Sequence, residues 1–324
     1  MKSLVRICLA IGLALMLAGA VAAQTLKIAY SDWPGWVAWD IAEKKGYFKA
    51  EGLDVQLLWF EYGPSMDAFT AGKVDAVAVA NGDALVLGAS GAKNSMILLN
   101  DYSNGNDMVV AKAGIASVKD LKGKKIGVEI GLVDHLLLLK ALQMNGLSET
   151  DVKLVPMQTN QAAQILASGD VDAVVAWQPN SGQALKSSAG SKAIFTSADA
   201  PGIIYDVLAV SPASLAKNKA AWQKVTKVWY KVVDFLMDPK NSKESLEIMS
   251  ARVNLKPEEY AAFIKGTHFL NLAEAKKVLV KGDGLTSLYG STKIVDDFNV
   301  ANKVYTASQK AEAYIDPSLV NALK

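Results

Sequence analysis

Apolar residues come along this chain in short blocks, and the blocks alternate between two periods. Segments of five or six residues at 26–30, 55–60 and 75–80, apolar but for Lys27, Gln56 and Asp75, have the length of buried strands. Between and after them, apolar positions recur every three or four residues, as on a helix packed against a sheet. Helices are expected over 37–49, ending near Gly52, over 64–71, stopped at Gly72, and from Asp83 to 89. Further strands are expected at 96–99 and 108–111.

The cycle then starts again, with strands at 126–129, 152–156 and 172–177 and helices at 134–144 and 161–167, the last closed by Gly169. The repetition is visible in the residues themselves. Asp54-Val55 is followed by Ala71-Gly72-Lys73-Val74-Asp75-Ala76-Val77, and Asp151-Val152 by Ser168-Gly169-Asp170-Val171-Asp172-Ala173-Val174. The interval from Asp54 to Asp75 is 21 residues, and so is that from Asp151 to Asp172. Two copies of strand, helix, strand, helix, strand predict two similar α/β lobes with a ligand cleft between them. Segments 193–196 and 207–210 are expected as strands returning the chain to the first lobe, and 102–107 and 202–206 as the crossings. Beyond Pro212 the pattern is helical. Trp222, Val225, Val228, Trp229, Val232, Val233 and Leu236 form a stripe read as core-facing.

The start of the chain changes the picture of where it works. Lys2 and Arg6 precede an apolar run at 7–18, and Ala20-Val21-Ala22 and Val21-Ala22-Ala23 offer cleavage sites, so residues 1–23 read as a secretory signal peptide. The run is shorter than the ~20 residues of a spanning helix. The only cysteine, Cys8, falls inside it, which leaves the mature chain without disulfides, thiol catalysis or cysteine metal sites. Losing Lys2 and Arg6 reduces 34 basic residues to 32, equal to the 32 acidic ones. A neutral chain lacks the basic footprint of a nucleic-acid binder. His135 and His268 are the only histidines, too few for a three-histidine zinc site. No G-x-S-x-G, G-x-G-x-x-G or P-loop segment is present. No cofactor, metal or catalytic residue is expected.

Sheets of this kind present ligands at the carboxyl ends of their strands. The repeat therefore nominates Asp32, Trp33, Trp36, Glu61, Asn81 and Asp83 in the first copy. In the second it nominates Glu129, Asp134, Gln158, Trp177, Gln178 and Asn180, with Asp107 and Asp206 at the crossings. Seven of these are carboxylates. The one arginine after the signal, Arg252, lies in the helical tail, and no lysine occupies a strand end. An oxyanion pocket ordinarily uses arginine. Acids and indoles suit a small cation or an amide- or amine-rich ligand, such as a planar guanidinium lying on a tryptophan. Helix N-termini at Ser31, Asp83 and Asn180 keep an oxyanion open through backbone N–H groups.

Plainer roles compete. Asp32, Asp83 and Asp134 stand where helix caps stand, and Asp75 and Asp172 head the third strands, away from the cleft. Glu61 and Glu129 follow apolar strands with no helix to cap. Trp177 is either a core ring or a stacking platform.

The element order, the Ala71–Ala76 segment and K-D-L-K-G-K-K-I-G-V at 119–128 resemble periplasmic solute-binding proteins of the nitrate/sulfonate/taurine ABC-transporter class, over essentially the whole mature chain. The resemblance implies a type II periplasmic binding protein fold: two Rossmann-like lobes with a hinge and a helical C-terminal extension. Lobe 1 would take residues 24–104 and 207–324, and lobe 2 residues 105–206. It also implies a periplasmic, monomeric, non-enzymatic protein that closes on a small molecule and delivers it to an ABC permease and its ATPase subunit. Trp33-Pro34-Gly35-Trp36, Asn81-Gly82-Asp83-Ala84-Leu85, Tyr102-Ser103-Asn104-Gly105-Asn106-Asp107, Val128-Glu129 and Trp177-Gln178-Pro179 resemble the branch encoded beside urea-carboxylase and guanidine-degrading enzymes. That branch implies a urea-like or guanidine-like ligand. Sulfonate, taurine or nitrate binding is the alternative, and a secreted enzyme on the same fold the more distant one.

Overall fold

The computed structural model describes residues 24–324; the signal-peptide expectation for 1–23 lies outside the described residues. The apolar blocks build two sheets. In the first, β1 (Leu26–Tyr30) pairs in parallel with β2 (Val55–Trp59) and β3 (Ala76–Ala80). The sheet continues antiparallel through β10 (Tyr205–Val210), β4 (Ser95–Ser103) and β11 (Thr267–Phe269), in the order β11-β4-β10-β3-β1-β2. In the second, β6 (Lys125–Val128) pairs in parallel with β7 (Lys153–Pro156) and β8 (Ala173–Ala176). It is completed antiparallel by β5 (Met108–Ala111) and β9 (Lys192–Thr196), in the order β7-β6-β8-β5-β9.

The sequence repeat is thus a repeat of topology: β2-β1-β3 followed by an antiparallel strand, and β7-β6-β8 followed by another. The strands AVAVA of β3 and AVVA of β8 are buried throughout, as strands covered on both faces must be. The repeated aspartates act as stitches at the far end from the cleft. The Lys27 backbone N–H donates to the Asp75 carboxylate at 2.9 Å, and the Lys125 N–H to Asp172 at 2.8 Å.

The fourth strand of each sheet is supplied by the chain crossing over: β4 leads into β5, and β9 leads back into β10. Segment 193–196 does not itself return to the first lobe. It becomes β9 on the free edge of β5, whose other edge is taken by β8, and the crossing follows it. The helix expected over 37–49 is three short ones, Pro34–Val37, Trp39–Lys44 and Tyr47–Ala50, because Gly46 at φ 67° turns the chain between the last two. Strand β11 has no signal of its own length; pairing with β4 creates it. In the tail, helix Lys219–Met237 buries Trp222, Val225, Val228, Trp229, Val232 and Val233 as its stripe requires, with Trp229 against Trp39 at 4.6 Å between ring centres. Among the described residues no helix is long and apolar enough to cross a membrane.

Candidate functional site

The carboxyl ends of β1, β2, β3, β6 and β8 face one another across the two sheets, and the space between is almost closed. Two small cavities remain, each with about 10 Å3 of free volume, room for one water-sized group. The inner one is lined by Trp33, Trp36, Ala80, Asp107, Val133, Trp177, Ile204 and Asp206. The outer one is lined by Asp32, Glu61, Tyr62, Glu129, Gln158, Thr159, Asn160, Trp177 and Asn180. Ten of the fourteen residues nominated from the sequence therefore line a cavity: Asp32, Trp33, Trp36, Glu61, Asp107, Glu129, Gln158, Trp177, Asn180 and Asp206. Asn81, Asp83, Asp134 and Gln178 do not.

Aromatic rings make the wall between the cavities. Trp33 and Trp36 meet edge to face at 6.4 Å, Trp36 stacks on Tyr62 at 5.4 Å, and Tyr62 meets Trp177 edge-on at 5.1 Å. The row crosses from one lobe to the other, so Trp177 is at once a packed ring and a face of both cavities. Tyr62 opens helix Tyr62–Thr70, which starts two residues earlier than the periodicity predicts. That makes Glu61 the residue before the helix, correcting the expectation that no helix begins there. Its carboxylate makes no capping bond and faces the outer cavity.

Several expected caps turn out to be cross-links. Asp32 accepts from the Trp177 indole N–H at 2.8 Å and from the Asn180 amide at 2.6 Å, both from the other sheet's loops; the helix after it is preceded by Trp33 and has no side-chain cap. Asp83 sits inside helix Asn81–Ala89 and does not cap it. It accepts from the Tyr62 hydroxyl at 2.6 Å and from the backbone N–H of Val133 at 3.1 Å, the first residue of helix Val133–Met144. Asp83 thus satisfies a free N–H at the start of a helix in the opposite lobe. Asp134 accepts from the Thr159 hydroxyl at 2.6 Å, and the same hydroxyl lies 2.9 Å from Glu129. Asn81 spends its amide on Ser291, Thr292 and the Tyr205 N–H, which ties it to the C-terminal helices.

Sequence reasoning missed Asp101. It accepts from the Trp33 indole N–H at 3.0 Å and stands directly opposite Asp206 across the β4–β10 pair. Its signal was available: Asn100-Asp101 is a polar pair inside an otherwise apolar strand. Ser103 and Ser197, which bond to each other at 2.6 Å, hold the two crossings together, and Ser103 donates to Asp107.

Electrostatically the cleft is one-sided. Burial pushes the carboxyls of Asp83 and Asp107 up to about 7 and that of Asp32 to about 6, against hydrogen bonds that pull them down. Burial raises Glu129 as well, and raises Asp134 well above the carboxylate range. Burial raises Asp101 to about 7 and Asp206 well above its ordinary value; contact between the two raises Asp206 further and lowers Asp101. Arg252 lies elsewhere, over the Trp59 ring and 3.9 Å from Asp40. His135 accepts from the Gly131 N–H, and His268 stacks on Tyr102; neither lines a cavity. Among the described residues no group of three histidine, cysteine or acidic side chains is arranged to hold a metal.

Comparison with known proteins bears on this geometry. A protein of Brucella abortus (strain 2308), named as a binding protein, is 35% identical over 179 residues, 54% of this chain and 55% of that protein. An aliphatic sulfonates-binding protein of Bacillus subtilis (strain 168) is 36% identical over 146 residues, 43% of this chain and 44% of that one. The chain spans about half the length of the curated relatives it matches. Among solved structures, the alkanesulfonate-binding protein of Xanthomonas axonopodis pv. citri superposes with a TM-score of 0.76 over 92% of this chain and 100% of its own, at 17% identity. A desulfurization enzyme superposes with a TM-score of 0.65 over 92% and 97% at 17% identity. At such identities these superpositions establish the fold, the two-sheet architecture of periplasmic binding proteins, which an enzyme also uses. The sequence pattern of the family described as NMT1/THI5 like matches residues 36–242, from Trp36 at the inner cavity through both crossings, and the chain belongs to that family.

Proposed function

We propose that this protein is the extracytoplasmic solute-binding component of an ABC importer, which closes its two lobes on a small molecule and presents it to a membrane permease and its ATPase. The observation that carries this reading is the cleft. Donors and acceptors of opposite lobes meet there directly, as in Asp32 with Trp177 and Asn180 and in Asp83 with Val133, around cavities sized for a small group. Hinge closure of that kind is how a two-lobed binder sequesters a ligand. Neither histidine lines the cavities, and the described residues contain no cysteine. Binding without turnover is therefore favoured over the chemistry of the desulfurization enzyme that shares the fold.

Two readings of the ligand compete. The relatives named for aliphatic sulfonates favour a sulfonate-type anion, with taurine and nitrate in the same class. This makes the anion reading the better supported of the two by relatedness. The second reading, a cationic or amide ligand such as guanidine or urea, is favoured by one specific observation: the cavities are lined by Asp32, Glu61, Asp107, Glu129 and Asp206 with no basic side chain.

A thermal-shift screen of the mature chain tests both. Taurine, ethanesulfonate, nitrate, guanidinium, urea and agmatine are the probes. A true ligand at 100 times its Kd stabilises by about 2.7 kcal/mol. Stabilisation by one class and not the other selects the reading; chemical conversion of the stabilising probe would refute the binding-protein assignment.

A further inference from the structure

We infer that Asp101 and Asp206 hold one proton between them in the closed cleft, and that a positively charged, N–H-bearing group of the ligand takes that proton's place while the proton leaves to solvent. The inference rests on the solute-binding reading above and, within it, on a ligand with a cationic N–H group, which a guanidinium and the ammonium end of an aminoalkanesulfonate both supply.

The argument starts from register. β4 and β10 carry the chain across the hinge in opposite directions, and Asp101 and Asp206 are directly opposed in their pairing. Like charges so placed repel. Both residues are buried, at 0% and 2% exposure. Asp101 Oδ1 accepts from Trp33, but Asp101 Oδ2 and Asp206 Oδ2 have no donor in the protein. Two facing carboxylate oxygens without a donor need a proton or a cation between them.

No neighbouring element supplies the charge. β3 and the helix Pro34–Val37 carry no ionisable group. The helix Asn81–Ala89 presents Asp83, bonded to Tyr62, and the crossing segment presents Asp107, so both add negative character. Tyr260, from the helix Pro257–Lys265, is neutral. On β11, His268 turns outward to Tyr102 and Glu274. On the helix Lys219–Met237, Lys224 and Lys227 reach Glu51, and Lys231 covers the Tyr47 ring.

Asp206, but not Asp101, lines the inner cavity, between Trp33, Trp36 and Trp177. Trp36 is itself 3% exposed, and its indole N–H has no acceptor. A ligand there meets a carboxyl, three indole faces and a free donor, the surroundings that suit a compact cation next to an acceptor atom. Asp206 is then the contact residue, and Asp101 is a positioning residue that sets how easily Asp206 gives up its proton.

The experiment is calorimetric titration of the mature chain with guanidinium, taurine and ethanesulfonate between pH 5 and pH 8, in buffers of different ionisation enthalpy. Guanidinium or taurine is expected to bind with release of about one proton. Its Kd should rise about tenfold for each unit the pH falls while the pair keeps its proton, as exchange of one proton for one ligand requires. Ethanesulfonate, which is taurine's close analogue without the amine, should not bind. In Asp101→Asn the new amide donates to Asp206 and removes the shared proton. That variant should still bind, with less than about twofold change in Kd per pH unit. A plain structural role for Asp101 would weaken binding equally at every pH. Binding of ethanesulfonate as tight as taurine, or proton uptake on binding, overturns the inference while leaving the solute-binding reading intact. If no probe binds, that reading fails for these ligand classes. The pair is then decided by the ligand-free protein, whose Tm should fall less steeply between pH 5 and pH 8 in Asp101→Asn than in the wild type; parallel profiles overturn it.

Discussion

The two copies of the repeat differ where they reach the cleft and agree where they leave it. At the far end, Asp75 and Asp172 make the same bond to the same kind of backbone N–H, at 2.9 and 2.8 Å. At the near end, β3 runs out in Ala80-Asn81, and Asn81 is drawn into the C-terminal helices. β8 runs out in Trp177-Gln178, and Trp177 spans both cavities and grips Asp32 of the other lobe. The difference teaches that the repeated part of a strand is constrained by sheet building, whereas its last residue is free to serve the cleft.

The largest effect should come from breaking the asymmetric end. Trp177→Ala removes a ring buried to 3% exposure, its edge-on contact with Tyr62 and the bond to Asp32. About 3–5 kcal/mol of stability should be lost in denaturant unfolding. Any ligand found by the thermal-shift screen should lose most of its affinity. A loss below about 1 kcal/mol would mean that the row of rings is not one packed unit.

Next is the pH response of the near end. The carboxyls of Asp83 and Asp107 rise from an ordinary 3.8 to about 7 in the closed protein. Below about pH 4 they are protonated in both states. Between about 4 and 7 the unfolded chain releases protons that the folded one keeps, so stability falls as pH rises through that window. Ligand-free Tm should be several degrees lower at pH 8 than at pH 5.5. A Tm that rises over this range would show that these acids are ionised and paired.

A smaller effect is expected for Glu129→Gln. Glu129 lines the outer cavity and shares the Thr159 hydroxyl with Asp134. The amide keeps the shape, so Tm should hold while affinity drops about tenfold, the order of one charge-assisted hydrogen bond. Unchanged affinity removes Glu129 from the site. The smallest effect should come from the symmetric end. Asp75→Ala and Asp172→Ala should each cost about 1 kcal/mol and match within error, since each removes one side-chain acceptor from one backbone N–H. Unequal costs would show that the copies are not mechanically equivalent.

Much of this fold can be read from the chain because its signals are local. Apolar runs, helix stripes and the spacing of Asp54 with Asp75 and of Asp151 with Asp172 depend on residues within one supersecondary unit. The cleft is only half legible. The rule that ligands meet strand ends picked ten residues that line the cavities. It could not distinguish Asp83, which reaches across to Val133, from an ordinary helix cap, because both look like an acid at a helix start. Nor could it find Asp101. That residue matters only because β10, more than a hundred positions later, sets Asp206 against it.

By itself, then, the sequence determined two α/β copies, an apolar helical tail, a single arginine after residue 23, and strand ends rich in acids and tryptophans. Those properties follow from periodicity and composition, which each segment carries alone. The tertiary structure decided which acids face the cavities, which bind the opposite lobe and which two face each other. Hydrogen bonds and charge repulsion act over a few ångströms, and only folding brings positions 32 and 177, 83 and 133, or 101 and 206 within that range.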